Sequence, residues 1–259
     1  MERLPIIFVS HGSPSLALED CPARDFMMRL GRNLGAPRAI VAISAHWATR
    51  EPAVTGAVNP ETIHDFYGFP DALYRIRYAA PGAPEIAENV AELLGAAGFK
   101  CAIDQRRGLD HGAWSPLLLM YPEPRIPVIQ VALQPHRGAA HHLALGAAIA
   151  PIRDAGVLIF ASGGATHNLG QIRGPSNTPA PRWVSEFSDW LTATITEGRT
   201  RDLVDYRQVA PYAAENHPSE EHFLPLIVAA GAAGEGARGR SIHASYTYGV
   251  LSMASYAFD

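Results

Sequence analysis

Short apolar runs alternate with longer stretches of helical periodicity along this 259-residue chain. Residues 5–10, 38–45, 127–133 and 156–161 are rich in Ile and Val and are bounded by Gly, Pro or Arg. Continuous apolar runs of this length suit strands buried on both faces. Between them, residues 22–34, 84–97, 114–120, 139–153 and 182–197 read as helices; in the fourth, Leu143, Ala147 and Ala150 recur at helical spacing. Strands separated by helices require crossover connections, right-handed where chirality applies. The pattern therefore predicts an α/β fold with a mainly parallel, mixed central sheet between two layers of helices.

The last quarter differs. Residues 219–230 read as a helix with Ser219 as N-cap and two glutamates in the first turn. A Gly/Ala-rich connection over 231–239 leads into 241–258, where Tyr, Val and Ser predict one or two strands. No fixed-period repeat and no low-complexity linker divides the chain, so residues 1–259 are read as one domain.

Composition narrows the function classes. Hydrophobic residues make up 47% and charged residues 18%, enough apolar surface for a large core. The net charge is −4, Lys100 is the single lysine, and the arginines are scattered; no nucleic-acid footprint is expected. Cys21 and Cys101 have no CxxC spacing, which excludes a disulfide framework and a thiolate zinc cage and fits a reducing compartment. The apolar stretch 4–9 is too short for a signal peptide, and no run approaches the roughly 18 residues of a membrane span. The expectation is a cytoplasmic protein without a membrane partner; the sequence leaves the oligomeric state open.

Histidine carries the chemical signal, with eleven copies in a chain of few charges. His11 and His46 follow predicted strands, His111 precedes a predicted helix, and His167 closes a glycine-rich turn after a buried-strand pattern. In parallel α/β sheets ligands bind outside the carboxyl ends of the strands, so these four can converge on one crevice. His217 and His222 are five apart, about 140° around a helix, so one regular helix cannot aim both inward. Pro218 favours placing His217 outside the helix; one of the pair is a ligand candidate and the other an orienting group or cap. Three imidazoles with open positions suit a catalytic zinc, iron, copper or nickel site. No HExxH, P-loop or GxSxG pattern occurs, and the Gly163-Gly164 pair is too short for a dinucleotide fingerprint and lacks GxGxxG. His141 and His142 read as surface positions on a helix, His136 as a loop residue and His243 as a strand residue. His64 lies in an aromatic loop over 62–70. Its Phe66, Tyr67 and Phe69 either anchor the loop on the core, which the residues alone favour, or wall a pocket for a flat substrate.

Six segments, taken in order, resemble the class III extradiol ring-cleavage dioxygenases, in their 4,5-DOPA dioxygenase-type branch. They are His11-Gly12-Ser13-Pro14, Ser44-Ala45-His46-Trp47, the run from Ile63 to Pro70, Leu109-Asp110-His111-Gly112-Ala113-Trp114, the run from Gly163 to Asn168, and His217-Pro218 with His222-Phe223. The resemblance implies a non-haem enzyme that inserts O2 into a catechol-type ring and opens it beside the diol, giving a semialdehyde. It implies one divalent metal ion, Fe(II) for catalysis with Zn(II) often found in the same site, held by His11, His46 and His222. By the same likeness His167 and His111 are acid/base groups, His167 also being placed to approach the metal as a fourth ligand, and Phe66, Tyr67 and His217 meet the substrate. Other branches carry a carboxylate at the third ligand position. Here His222 occupies it with Glu220 and Glu221 beside it, which makes the site one negative charge poorer and more hospitable to zinc. Competing readings are a zinc-dependent hydrolase on a similar α/β scaffold and a non-catalytic metal- or ligand-binding protein.

Overall fold

The computed structural model describes residues 3–259. The four Ile/Val-rich runs form the centre of an eight-stranded sheet. The strands are β1 (Ile6–Ser10), β2 (Ala39–Ala48), β3 (Ala53–Thr55), β4 (Ala102–Asp104), β5 (Val128–Leu133), β6 (Val157–Gly163), β7 (Gly239–His243), β8 (Tyr246–Thr247), β9 (Leu251–Ser252) and β10 (Ser255–Phe258). The sheet order is β4-β3-β5-β2-β6-β1-β10-β7, with β8 and β9 paired separately. The β5-β2-β6-β1 centre is parallel, in register at Ser44↔Ser162 and Ser10↔Gly163; β10 runs antiparallel to both β1 and β7.

The helices are α1 (Pro22–Leu34), α2 (Asp71–Tyr74), α3 (Pro84–Ala96), α4 (His111–Met120), α5 (Gly138–Ile149), α6 (Arg182–Glu197), α7 (Thr200–Val204), α8 (Tyr206–Val209), α9 (Ala213–Asn216) and α10 (Leu224–Ala233). Strand side chains alternate between two cores, as the pleat requires. Ile6, Phe8, Val41 and Ile43 pack with residues of α3, α5 and α10, whereas Ile7, Val9, Ile40 and Ala42 pack with α1 and α4. The result is the expected three-layer α/β architecture. Facing helices α5 and α10 approach through reciprocal glycines: a Cβ on Gly146 would lie 2.0 Å from the Val228 carbonyl oxygen, and one on Gly231 2.0 Å from that of Leu143. No helix among the described residues is long and apolar enough to cross a membrane.

Several expectations need correction. The predicted helix over 219–230 starts later, at Leu224, because Pro225 lacks an N–H and belongs in a first turn, where it indeed sits. Ser219 caps nothing; its hydroxyl donates to Glu221 in a turn. The 241–258 region holds four short strand segments in place of one or two. His142 is buried, not on the surface: its Nδ1–H donates to the Gly138 carbonyl at 2.7 Å and its Nε2 accepts from the Gln134 N–H at 3.0 Å. Strand β2 continues past residue 45, which carries His46 and Trp47 out on the strand's end.

Candidate metal centre and active site

The parallel strands deliver their carboxyl ends to one edge of the sheet, and the site is assembled there. His11 follows β1 directly. His46 lies on the extension of β2. His111 opens α4, whose N-cap Asp110 accepts from the Ala113 N–H. Asp110 is itself fully buried and accepts from Ser44 Oγ at 2.6 Å and from Gln130 Nε2 at 2.8 Å, which ties the start of α4 to β2 and β5. His222 comes from the turn before α10, where its carbonyl accepts from the Gly164 N–H at 2.9 Å. A Cβ on Gly163 would stand 2.2 Å from that carbonyl oxygen, so glycine is what lets the turn reach the end of β6. Gly112 is constrained in the same way, since a Cβ there would meet Ser44 Oγ at 2.3 Å and His46 Cδ2 at 2.9 Å.

The three imidazoles of His11, His46 and His222 converge through Nε2. The His46 nitrogen stands 3.1 Å from that of His11 and 3.3 Å from that of His222. Their Nδ1 atoms face oxygen: Ser162 Oγ at 3.0 Å for His11, Glu221 at 3.3 Å for His222 and Asp65 at 3.5 Å for His46. Carboxylates only accept, so His222 carries a proton on Nδ1 and a bare lone pair on Nε2, and the Asp65 carboxylate beside His46 Nδ1 favours the same arrangement there. Ser162 is decided by a longer chain. Pro116 in α4 has no N–H to give to the carbonyl four residues back, that of Gly112. Ser162 Oγ fills the vacancy by donating to the Gly112 oxygen at 2.5 Å, so it accepts from His11 Nδ1–H.

The three Nε2 atoms therefore point at one another. Burial first, then the neighbouring imidazoles, pushes His11 and His222 well below the usual histidine range; burial and His111 push His46 down to about 3. Neutral, convergent, partnerless nitrogens are what a divalent cation requires. Two tetrahedral bonds of roughly 2.0–2.1 Å would place their nitrogens about 3.3–3.4 Å apart, close to the 3.1 and 3.3 Å found here. The donor set fits a metal ion. His46, Asp65 and His111, and separately His167, Glu221 and His222, also lie close enough to share one.

Around this trio, Asp65 Oδ1 accepts from both the backbone N–H of His111 at 3.0 Å and its Nδ1 at 2.9 Å. Burial alone would raise the Asp65 carboxyl, but its bonds to His111 and the nearby imidazoles hold it down to about 2. The His167 ring stacks on that of His222 at 3.4 Å between centroids, with 6° between planes, and burial pushes its pKa down to about 4. Both His111 and His167 line a cavity of about 550 Å³ together with His11, His46 and His222. Phe66, Tyr67 and Phe69 wall that cavity, while Phe66 also packs against Trp114. The Trp114 indole N–H holds the loop by donating to the Ile63 carbonyl at 2.8 Å. Tyr67, at 92% exposure, sits at the rim.

His217 is corrected. It lies outside the cavity, fully buried among Phe187, Tyr206 and Phe223, with Nε2–H donating to the Ala165 carbonyl at 3.0 Å. It buttresses the turn that carries His167 and has no access to a substrate. Sequence reasoning also missed Asp65, Ser162 and Pro116. Only Asp65 left a signal, as the sole carboxylate inside the aromatic loop.

The site thus defines an α/β protein with an imidazole trio at the carboxyl edge of a parallel sheet, beside an aromatic-walled cavity. Residues 5–259 match the family described as the catalytic LigB subunit of aromatic ring-opening dioxygenase, and the chain belongs to that family. It is 45% identical over 255 residues to the 4,5-DOPA dioxygenase extradiol of Beta vulgaris, covering 97% of this chain and 95% of the relative. The 4,5-DOPA dioxygenase extradiol of Escherichia coli (strain K12) is 39% identical over 234 residues, 89% of this chain and 85% of the relative. A crystal structure of an uncharacterized Escherichia coli K12 protein superposes with a TM-score of 0.81 at 31% identity, covering 99% of this chain and 100% of that one.

Proposed function

We propose that this dioxygenase opens catechol-type rings beside the diol, inserting both atoms of O2 to give a semialdehyde, with one divalent ion held by His11, His46 and His222. The observation that carries the reading is the convergence of three Nε2 atoms, that of His46 standing 3.1 Å from that of His11 and 3.3 Å from that of His222. When bound, Fe(II) supplies acidification of the diol and a meeting point for the two reactants. The protein does the rest. Phe66 and Tyr67 offer aromatic surface to a flat ring at the cavity wall. His167 is neutral at pH 7 and takes up the second diol proton on a ring nitrogen, later returning one to the oxygenated ring. With its Nδ1–H given to Asp65, His111 keeps Nε2 free to hold a proton near the oxygen atoms.

The test is anaerobic loading with Fe(II), then admission of air with a panel of catechols. O2 uptake with a yellow product is expected. Hydrolysis of esters or amides by the Zn(II) protein without O2 would instead favour a hydrolase. His46→Ala should lose stoichiometric metal by elemental assay; full metal content would remove His46 from the ligand set.

A further inference from the structure

His46 stands where its strand leaves the sheet. Pairing of β2 with β6 ends at Ser44↔Ser162, and pairing with β5 jumps from Ile43↔Val131 to Ala48↔Leu133. The ladder therefore does not set where the His46 backbone lies; side chains do. Its N–H donates to Ser44 Oγ at 3.1 Å, and its carbonyl accepts from Arg107 Nη2 at 3.3 Å. Both of these groups are bonded in turn to Asp110. The Ser44 hydroxyl donates to Oδ1 at 2.6 Å, and the same Arg107 nitrogen donates to Oδ2 at 3.3 Å. The Asp110 carboxylate is fully buried and takes two further donors, the Ala113 N–H on Oδ1 at 3.3 Å and Gln130 Nε2 on Oδ2 at 2.8 Å. The Gln130 amide is fixed in that sense, because its Oε1 accepts the N–H of Asp110 itself at 3.1 Å. The residue after Asp110 is His111, whose ring lies 3.9 Å from that of His46 between centroids.

We propose that Asp110 is the positioning residue for both imidazoles: acting through Ser44 and Arg107 on His46, and as the cap of α4 on His111, it holds His46 Nε2 where an ion is shared with His11 and His222. It touches neither metal nor substrate. The inference rests on the reading of the imidazole trio as a metal centre and adds the group that keeps one ligand in place. Each carboxylate oxygen receives two donors, and an amide has only one oxygen. In Asp110→Asn the amide nitrogen must face either the Ser44 and Ala113 donors or those of Gln130 and Arg107, which disturbs one of the two routes to His46 in either orientation. Arg107 is the accessible member of the chain, with its side chain 24% exposed. Arg107→Lys keeps a charge and three donors on one nitrogen, enough for both acceptors, whereas Arg107→Met keeps a chain of similar reach with no donor.

The test uses the full chain and reads metal binding apart from turnover. Zn(II) dissociation constants are measured by competition with a chromogenic chelator. The visible bands of the Co(II)-loaded protein report the geometry of the nitrogen set, and urea midpoints of the metal-free variants report stability. Asp110→Asn is expected to weaken Zn(II) binding at least about tenfold and to shift the Co(II) bands. Arg107→Met should weaken it by about three- to tenfold, and Arg107→Lys should stay within about twofold of the unmodified protein. Lower urea midpoints with unchanged affinities and bands in the folded variants would mark a purely structural role and overturn the proposal. If Asp110→Asn does not fold, the Arg107 pair decides, and equal Zn(II) affinities for Arg107→Met and Arg107→Lys overturn it. The expected affinity order, together with no ring opening by the Fe(II) protein in air, defeats the dioxygenase reading and leaves the positioning role standing.

Discussion

Asp65 serves two imidazoles with one carboxylate, one oxygen taking the His111 backbone and ring protons and the other facing His46. An amide in its place can accept with one end only and presents N–H to the other ring, which turns that ring or shifts its proton. Asp65→Asn is expected to cost about 10–100-fold in turnover or metal affinity, with folding intact by circular dichroism. His167→Asn should keep its metal by elemental assay but lose about 10²–10⁴-fold in ring opening; near-normal rates would remove the proton-carrying role. At this scale the histidines were legible because they are frequent in a chain poor in charge and stand where apolar runs end. The groups that aim them were not. Ser162 is one serine among many, and its role follows from a carbonyl that Pro116, on another element, leaves open. That relation exists only once α4 lies across the ends of β2 and β6. His217 misled for the converse reason: a histidine inside a motif can be a brace as easily as a contact.

Among the elements, the long helices and central strands followed from periodicity and from prolines at helix starts. Both α1 and α6 occupy their predicted bounds. The strands β3 and β4, of three residues each, carry too little pattern to stand out and are held by pairing with neighbours. The misplaced start of α10 was avoidable, since Pro225 marked the first turn more firmly than Ser219 marked a cap. The contact of α10 with α5 is governed by the reciprocal glycines. Gly231→Ala must push the Leu143 backbone away and is expected to destabilise the fold by about 1–3 kcal/mol, read as a lower urea midpoint at unchanged slope.

Acid stability belongs to the molecule as a whole. Burial pushes His142 down to about 4 and His217 down to about 3, so unfolding lets each take up a proton that the folded state refuses. Their contribution is intact above the unfolded value of about 6.5 and is lost as pH falls from there towards 4, at up to about 1.4 kcal/mol per unit per group. The protein stripped with a chelator should therefore have a lower urea midpoint at pH 5 than at pH 7.5. In His142→Gln the difference between those two midpoints should shrink; an unchanged difference would show that protonation of His142 does not govern it.

The sheet order has a consequence for biogenesis. Strand β1 is flanked on one side by β6, more than 140 residues later in the chain, and on the other by β10, the last strand among the described residues. A ribosome therefore releases the parallel centre, with every imidazole of the trio already synthesised, before the piece that seals its flank exists. Until β10 arrives, β1 shows an unpaired edge, which during translation is a place for a chaperone to bind or for two nascent chains to join by mistake.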